Sequence, residues 1–193
     1  LVQRNWVYVG FGVVKLDIIN SDDLQYLWLP LSHVFGKCLL AVQLAIGFTS
    51  AVDGRVERIV PNLGVTKPTF MCGAPRIFEK VRATVLSSNA TGVKGAIARW
   101  AFSVGKQSHE YRLAGKPLPG VLGVQYKIAD KLVFSKLRER LGGRMKFMVS
   151  GSAKLNAKVQ GWFYSAGLII IEGYGLTETT AVSFVNVPTR PKF

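Results

Sequence analysis

Residues 168–180 read LIIIEGYGLTETT. An aliphatic run, Leu168-Ile169-Ile170-Ile171, ends at Glu172 and leads into Gly173-Tyr174-Gly175 and then Thr177-Glu178-Thr179-Thr180. Such a run is typical of a strand buried on both faces. In open α/β sheets, ligands bind beyond the carboxyl ends of the strands. The segment therefore delivers two glycines, an aromatic ring, three hydroxyls and a carboxylate to one place. Glycine lets backbone amides approach a flat base or a phosphate with no Cβ in the way. The Tyr174 ring can lie on a purine. The Thr177 hydroxyl can donate to a phosphate oxygen, and Glu178 is a hard oxygen donor suited to Mg²⁺. The alternative is a glycine turn followed by a helix that Thr177 and Glu178 merely cap. Spacing alone leaves both open.

The elements that must hold this segment follow from hydrophobic periodicity. Short apolar stretches at 24–29, 48–52, 68–72, 145–150 and 168–172 read as strands. Residues 1–19, 33–46, 55–63, 75–86 and 156–166 read as helices between and around them. Two further helices are expected at 93–113 and 125–141, separated by the loop Gly115-Lys116-Pro117-Leu118-Pro119-Gly120. In the second, Tyr126, Ala129, Val133, Leu137 and Leu141 form one apolar stripe. Strands alternating with helices predict an α/β fold with a mainly parallel sheet flanked by helices. The helical pair at about 93–141 reads as an insertion in it.

Composition narrows the function classes. The chain has 193 residues, 49% of them apolar, with 25 Lys plus Arg against 11 Asp plus Glu, a net charge of +14. This is globular composition. The apolar run 38–46 is interrupted by Gln43 and falls short of the roughly 20 residues of a membrane span. No basic n-region followed by an apolar h-region and small-residue cleavage site occurs at the start of these residues, so no secretory signal is expected. Cys38 and Cys72 have no CxxC spacing and read as buried free thiols, which points to a reducing, cytoplasmic location. The excess positive charge suggests attraction to something anionic: nucleic acid, anionic lipid or nucleotide. The densest basic stretch, 131–146, reads as the polar face of a helix. No aromatic-interleaved basic motif of the RNA-binding type occurs, so no specific nucleic-acid partner is expected. A peripheral membrane surface stays open as a partner.

EGYGLTETT resembles the adenine- and Mg²⁺-binding signature of the AMP-forming adenylating enzymes, which include acyl-CoA synthetases, nonribosomal-peptide adenylation domains and luciferases. Three more segments agree in order and spacing. Leu29-Pro30-Leu31-Ser32-His33-Val34-Phe35-Gly36 is similar to the LPLxHxF motif of long-chain acyl-CoA synthetases. Lys67-Pro68-Thr69-Phe70, with Gly73-Ala74-Pro75-Arg76-Ile77-Phe78-Glu79-Lys80, resembles a strand and helix of the same enzymes. Gly143-Arg144-Met145 through Ser150-Gly151-Ser152-Ala153 resembles their G-G-R…S-G-[GS]-A strand and turn. The likeness runs over essentially the whole chain and is nearest to bacterial long-chain fatty acid–CoA ligases of the FadD type.

The resemblance implies a two-step reaction on a long-chain fatty acid, ATP and coenzyme A. The fatty carboxylate attacks the ATP α-phosphate, giving acyl-AMP and pyrophosphate, and the coenzyme A thiol then displaces AMP. It also implies roles. Tyr174 would stack on adenine, bordered by Glu172, Gly173 and Gly175. Thr177 would contact the α-phosphate, and Glu178 would bind Mg²⁺. Gly151, Ser152 and Ala153 would line the nucleotide and acyl-adenylate pocket. His33 would sit at the mouth of the acyl pocket, while His109 has no motif around it and reads as surface. The family's SGTTGxPKG-type phosphate loop, its ribose-binding Asp and the C-terminal domain with a catalytic Lys have no counterpart in the sequence. The expectation is an internal part of the large N-terminal domain with weak or no adenylation by itself. The other reading is a catalytically inactive remnant whose basic surface binds polyanions.

Overall fold

The structure is a computed structural model that describes residues 1–88 and 91–192. Strands β1 (Leu24–Leu27), β2 (Thr49–Val52), β3 (Phe70–Gly73), β4 (Phe147–Ser150), β5 (Ile170–Leu176) and β6 (Ala181–Val185) form one sheet in the order β2-β1-β3-β4-β5-β6. The first five are parallel, and β6 runs antiparallel to β5. Alternation along each strand sends side chains to two cores. Tyr26, Met71, Met148 and Ile170 enter one, and Leu27, Phe70, Cys72, Phe147 and Ile171 enter the other.

Helices cover both faces. On the second core lie α1 (Gln3–Val14) and α2 (Val34–Ile46). On the first lie α3 (Ile59–Thr66), α4 (Pro75–Ser88), α5 (Gly92–Gln107) and α9 (Ala157–Ser165). Between α5 and β4 come α6 (His109–Leu113), α7 (Gly120–Ala129), a single π-turn (Asp130–Phe134) and α8 (Ser135–Arg140). Phe134 and Leu137 join the first core. The expected α/β fold and mainly parallel sheet are present. Both cysteines are free and buried. Burial pushes the Cys38 thiol up to about 11 and that of Cys72 higher, so both stay protonated and unreactive at neutral pH.

Several elements depart from their expected bounds. The expected helix at 93–113 is two helices meeting at Ser108. The expected helix at 125–141 begins five residues earlier, directly after Pro119, whose fixed φ suits a helix entrance. His109 is not a free surface residue. It is half-buried, its Nε2 lies 2.8 Å from the Ser165 hydroxyl, and burial followed by the nearby Arg112 charge lowers its pKa. The largest departure is at the end of the chain. β5 does not stop at Glu172 but continues through Gly173-Tyr174-Gly175-Leu176 and turns back into β6. Neither a simple glycine turn nor a helix capped by Thr177-Glu178 occurs there.

Candidate functional site

Three chain segments meet beyond the carboxyl ends of β4 and β5. The loop after β1 delivers His33, which opens α2. Its Nδ1 accepts the Phe35 N–H at 3.2 Å, so the ring caps the helix and Nε2 carries the imidazole proton. The first turn of α2 thus faces the site with the partial positive charge of a helix N-terminus. After β4, the turn Gly151-Ser152-Ala153 is held from two sides. The Gly151 N–H donates to the Gly73 carbonyl at 3.0 Å, and the Glu172 carboxylate accepts the Leu155 N–H at 2.9 Å. Ser152 takes a left-handed backbone (φ 69°). A Cβ on Gly151 would lie 2.9 Å from the Phe35 ring, so glycine is what lets α2 close on this turn.

The β5–β6 hairpin supplies the rest. Tyr174 pairs with Phe184 and Gly175 with Val182, leaving Ser183 as a bulge. The 177–180 turn is locked by Thr179, whose Oγ1 accepts the Leu176 N–H at 3.0 Å. Thr177 and Glu178 are exposed, and their side chains make no hydrogen bond or ion pair among the described residues.

Together these segments enclose a cavity of about 290 Å³. His33, Gly151, Ser152, Gly173, Tyr174, Gly175, Thr177 and Glu178 all border it. Its remaining walls are Val34, Phe35, Val149, Leu176, Ala181, Val182 and Val185, an apolar lining. A second hollow of about 720 Å³ adjoins it across the same strand. Ala153 and Glu172 border only this outer hollow, with Lys154, Phe184 and Asn186, whereas Ser152, Gly173, Tyr174 and Gly175 border both. The sequence-derived residues therefore converge, but on two connected spaces. Sequence reasoning missed the apolar walls. Phe35 was the findable one, lying two residues after His33 in the first turn of α2.

Chemically, the arrangement offers a stacking ring, close backbone approach and an unpaired carboxylate beside an apolar recess. No group of three or more His, Cys, Asp or Glu side chains fit to hold a metal exists among the described residues. A single free carboxylate is nonetheless what a phosphate-held Mg²⁺ needs, because that ion keeps most of its ligands as water and phosphate oxygens. Glu178 fits on that ground.

Comparison with known proteins bears on the family and the fold. The sequence profile of a family described as AMP-binding enzyme matches residues 1–192. FadD15, a long-chain-fatty-acid–CoA ligase of Mycobacterium bovis, is 36% identical over 186 residues, covering 93% of this chain and 30% of the ligase. Long chain acyl-CoA synthetase 3 of Arabidopsis thaliana is 29% identical over 202 residues, covering 98% and 29%. The solved long-chain-fatty-acid-CoA ligase FadD1 from Archaeoglobus fulgidus superposes with a TM-score of 0.62 at 14% identity, over 96% of this chain and 30% of that one. The o-succinylbenzoate CoA synthetase of Bacillus subtilis, solved with ATP and magnesium ion, gives 0.58 at 14%, over 95% and 28%. At such identities the structural likeness speaks for the fold alone. The chain spans about 30% of the length of the curated FadD15 relatives it matches. With the profile running through every segment that builds the two hollows, the chain belongs to the AMP-binding enzyme family.

Proposed function

We propose that this chain forms the acyl-adenylate seat of a long-chain fatty acid–CoA ligase, which joins a fatty acid to coenzyme A at the expense of ATP. The observation that carries the reading is that the Tyr174 strand is shared by two hollows of different character. The outer hollow, between Ser152-Ala153 and Glu172-Gly173-Tyr174, takes the adenosine, with the Tyr174 ring on the base. The inner cavity takes the carboxyl end of the acyl chain against Val34, Phe35, Val149, Val182 and Val185. Between them, at Ser152 and Gly175, the carboxylate meets the α-phosphate. Thr177 donates its hydroxyl to that phosphate, and His33 orients the carboxylate through its Nε2–H.

Glu178 would hold the Mg²⁺ that accompanies ATP. Bound there, the ion supplies charge neutralisation to the phosphates. The protein's own contribution is positioning: a chain whose reacting ends are held within contact distance gains most of its rate from lost freedom already surrendered on binding. The fatty carboxylate displaces pyrophosphate at the α-phosphate, and the coenzyme A thiol then releases AMP from the acyl carbon.

The direct test is calorimetric titration of the protein with a non-hydrolysable palmitoyl-sulfamoyl-adenosine. The reading requires saturable binding that ATP and palmitate each weaken by competition. Binding that ignores both, or that heparin displaces while ATP does not, would assign the basic surface rather than the two hollows as the binding element.

A further inference from the structure

The helical segment between β3 and β4 carries a charge and an exposed apolar surface that the ligase reading leaves unused. Residues 92–146 hold 12 Lys or Arg against 3 Asp or Glu, a net +9 of the chain's +14. On α7 and the π-turn that extends it, Val121, Val124, Ile128 and Leu132 recur at helical spacing and all face solvent. On α5, Val93, Ile97 and Trp100 do the same. These seven side chains are between 36% and 76% exposed. The two rows belong to one surface, because Lys94 and Ile97 of α5 line a shared hollow with Leu132, Lys136 and Arg140.

Cations are interleaved with that surface. Lys131 lies three residues after Ile128 and seven after Val124, on the same helical face, and Lys127 lies three after Val124. Lys94, Lys127, Lys131, Lys136 and Arg140 are all exposed. The basic stretch 131–146 is only partly engaged within the fold, Arg138 pairing with Asp130 and Lys146 with Asp23. An exposed apolar stripe rimmed by lysines is the surface of a helix that lies in the headgroup region of a bilayer, its apolar side chains among the acyl chains and its ammonium groups at the phosphates.

We propose that the α5/α7 face docks on an anionic lipid bilayer. The charge selects this occupant over a second copy of the chain, since two surfaces each carrying a large positive charge repel. The apolar stripe between the lysines selects it over nucleic acid, whose phosphates offer nothing for Val121, Val124 and Ile128. The inference stands apart from the reading of the nucleotide site, and its test uses no enzymatic activity.

The experiment is co-sedimentation of the protein with vesicles of phosphatidylcholine alone and of phosphatidylcholine with about 30% phosphatidylglycerol, a fraction chosen to give an anionic surface like those that attract basic segments. The bound fraction should be several-fold higher on the anionic vesicles and should fall steeply with added NaCl as the charges are screened. Val124→Glu/Ile128→Glu should cut binding about tenfold or more, the apolar anchorage being lost. Lys131→Glu/Lys136→Glu should abolish the preference for the anionic vesicles. All four sites are exposed, so far-ultraviolet circular dichroism should be unchanged. Val7→Glu/Phe11→Glu on α1, which also exposes apolar side chains, should leave binding intact. Equal retention on both vesicle types, or loss confined to the α1 variant, overturns the proposal. So does a protein that ignores vesicles but forms a dimer that Val124→Glu dissociates.

Discussion

The Gly175 Cα lies directly against the Ala181 carbonyl, so close that a Cβ on Gly175 would fall on the carbonyl oxygen. This contact pinches the hairpin where Ser183 bulges out of β6, between Tyr174 and Leu176, which both border the two hollows. On the opposite strand, Thr180 and Ala181 hold left-handed backbone at φ 64° and 76°, a conformation that side chains with a Cβ adopt only when the surroundings impose it. The site's shape is thus made by one absent methyl group and two strained residues facing it.

Gly175→Ala should therefore cost far more than a surface change. The hairpin has to open to admit the Cβ, and a loss of about 2–4 kcal/mol is expected, the range of severe backbone conflicts. Urea titration measures it. The same variant should lose binding of the palmitoyl-sulfamoyl-adenosine even where it remains folded. A variant with native stability and native affinity would show that the contact is not a constraint.

The sheet was legible in the sequence because its strands are short apolar runs bounded by Gly and Pro, and because α/β alternation leaves few topologies open. The hairpin was not. Gly173-Tyr174-Gly175 has poor strand propensity, and the turn before β6 reaches positive φ at Thr180 and Ala181, residues that carry no turn signature. Register with Glu172 and the Val182/Val185 side of the pocket makes it a strand, and that is tertiary information. His33 was legible as a site candidate by its motif, but its capping bond to Phe35 was not, because histidine is an uncommon cap. The π-turn at Asp130–Phe134 had no visible signal either; it shifts the face of the helix by a fraction of a turn while Phe134 and Leu137 keep their places in the core.

Tyr174 separates a binding role from a packing role. Its ring is 60% exposed and only loosely tilted against Phe184, with centroids 6.4 Å apart. Tyr174→Ala should leave thermal stability within about 0.5 kcal/mol. Affinity for the adenosine analogue should fall by about 1–3 kcal/mol, the usual yield of an aromatic ring stacked on a base. Tyr174→Phe should keep most of it. Equal affinity in native and Ala variants would remove the ring from the site.

His33 combines a cap with a place at the cavity, and two substitutions part them. Asparagine can accept the Phe35 N–H as histidine does, whereas alanine cannot. His33→Ala should lose about 1 kcal/mol of stability, and His33→Asn should retain it. Both should weaken binding of the palmitoyl group more than of AMP alone. If His33→Asn restores acyl binding along with stability, the imidazole acts only as a cap.

A pH experiment probes the opposite end of the sheet. The Asp23 side chain is 1% exposed and pairs with Lys146 Nζ at 2.7 Å, while its second oxygen accepts the Asn20 N–H at 2.9 Å. Burial alone would raise its pKa, but the bonds from Lys146, Thr69 and Asn20 together lower it. A carboxylate whose folded pKa lies below its unfolded value of about 3.9 adds stability that is complete above that value. The contribution is lost as pH falls through the folded pKa. Asp23→Asn should cost about 1–3 kcal/mol at pH 7, the worth of charge-assisted hydrogen bonds. The gap between native and variant should close in strongly acidic solution. A gap that is unchanged at pH 2 would mean that the ionic form contributes nothing.

Glu178 carries the sharpest requirement of the ligase reading. Glu178 borders the inner cavity, is exposed, and makes no hydrogen bond or ion pair among the described residues that folding would need. Glu178→Ala should therefore leave the melting temperature unchanged. If Glu178 holds Mg²⁺ beside the phosphates, the native protein should bind ATP more tightly as Mg²⁺ is added, and the variant should lose that dependence while its affinity for AMP, which lacks the β- and γ-phosphates, stays the same. Within a ligase that contains this segment, the variant should also abolish Mg²⁺-dependent acyl-adenylate formation, followed as pyrophosphate release. Calorimetry with ATP and AMP across a Mg²⁺ series distinguishes the possibilities. An equal loss for both nucleotides would mean that the residue shapes the pocket, and no loss for either would place the ion elsewhere.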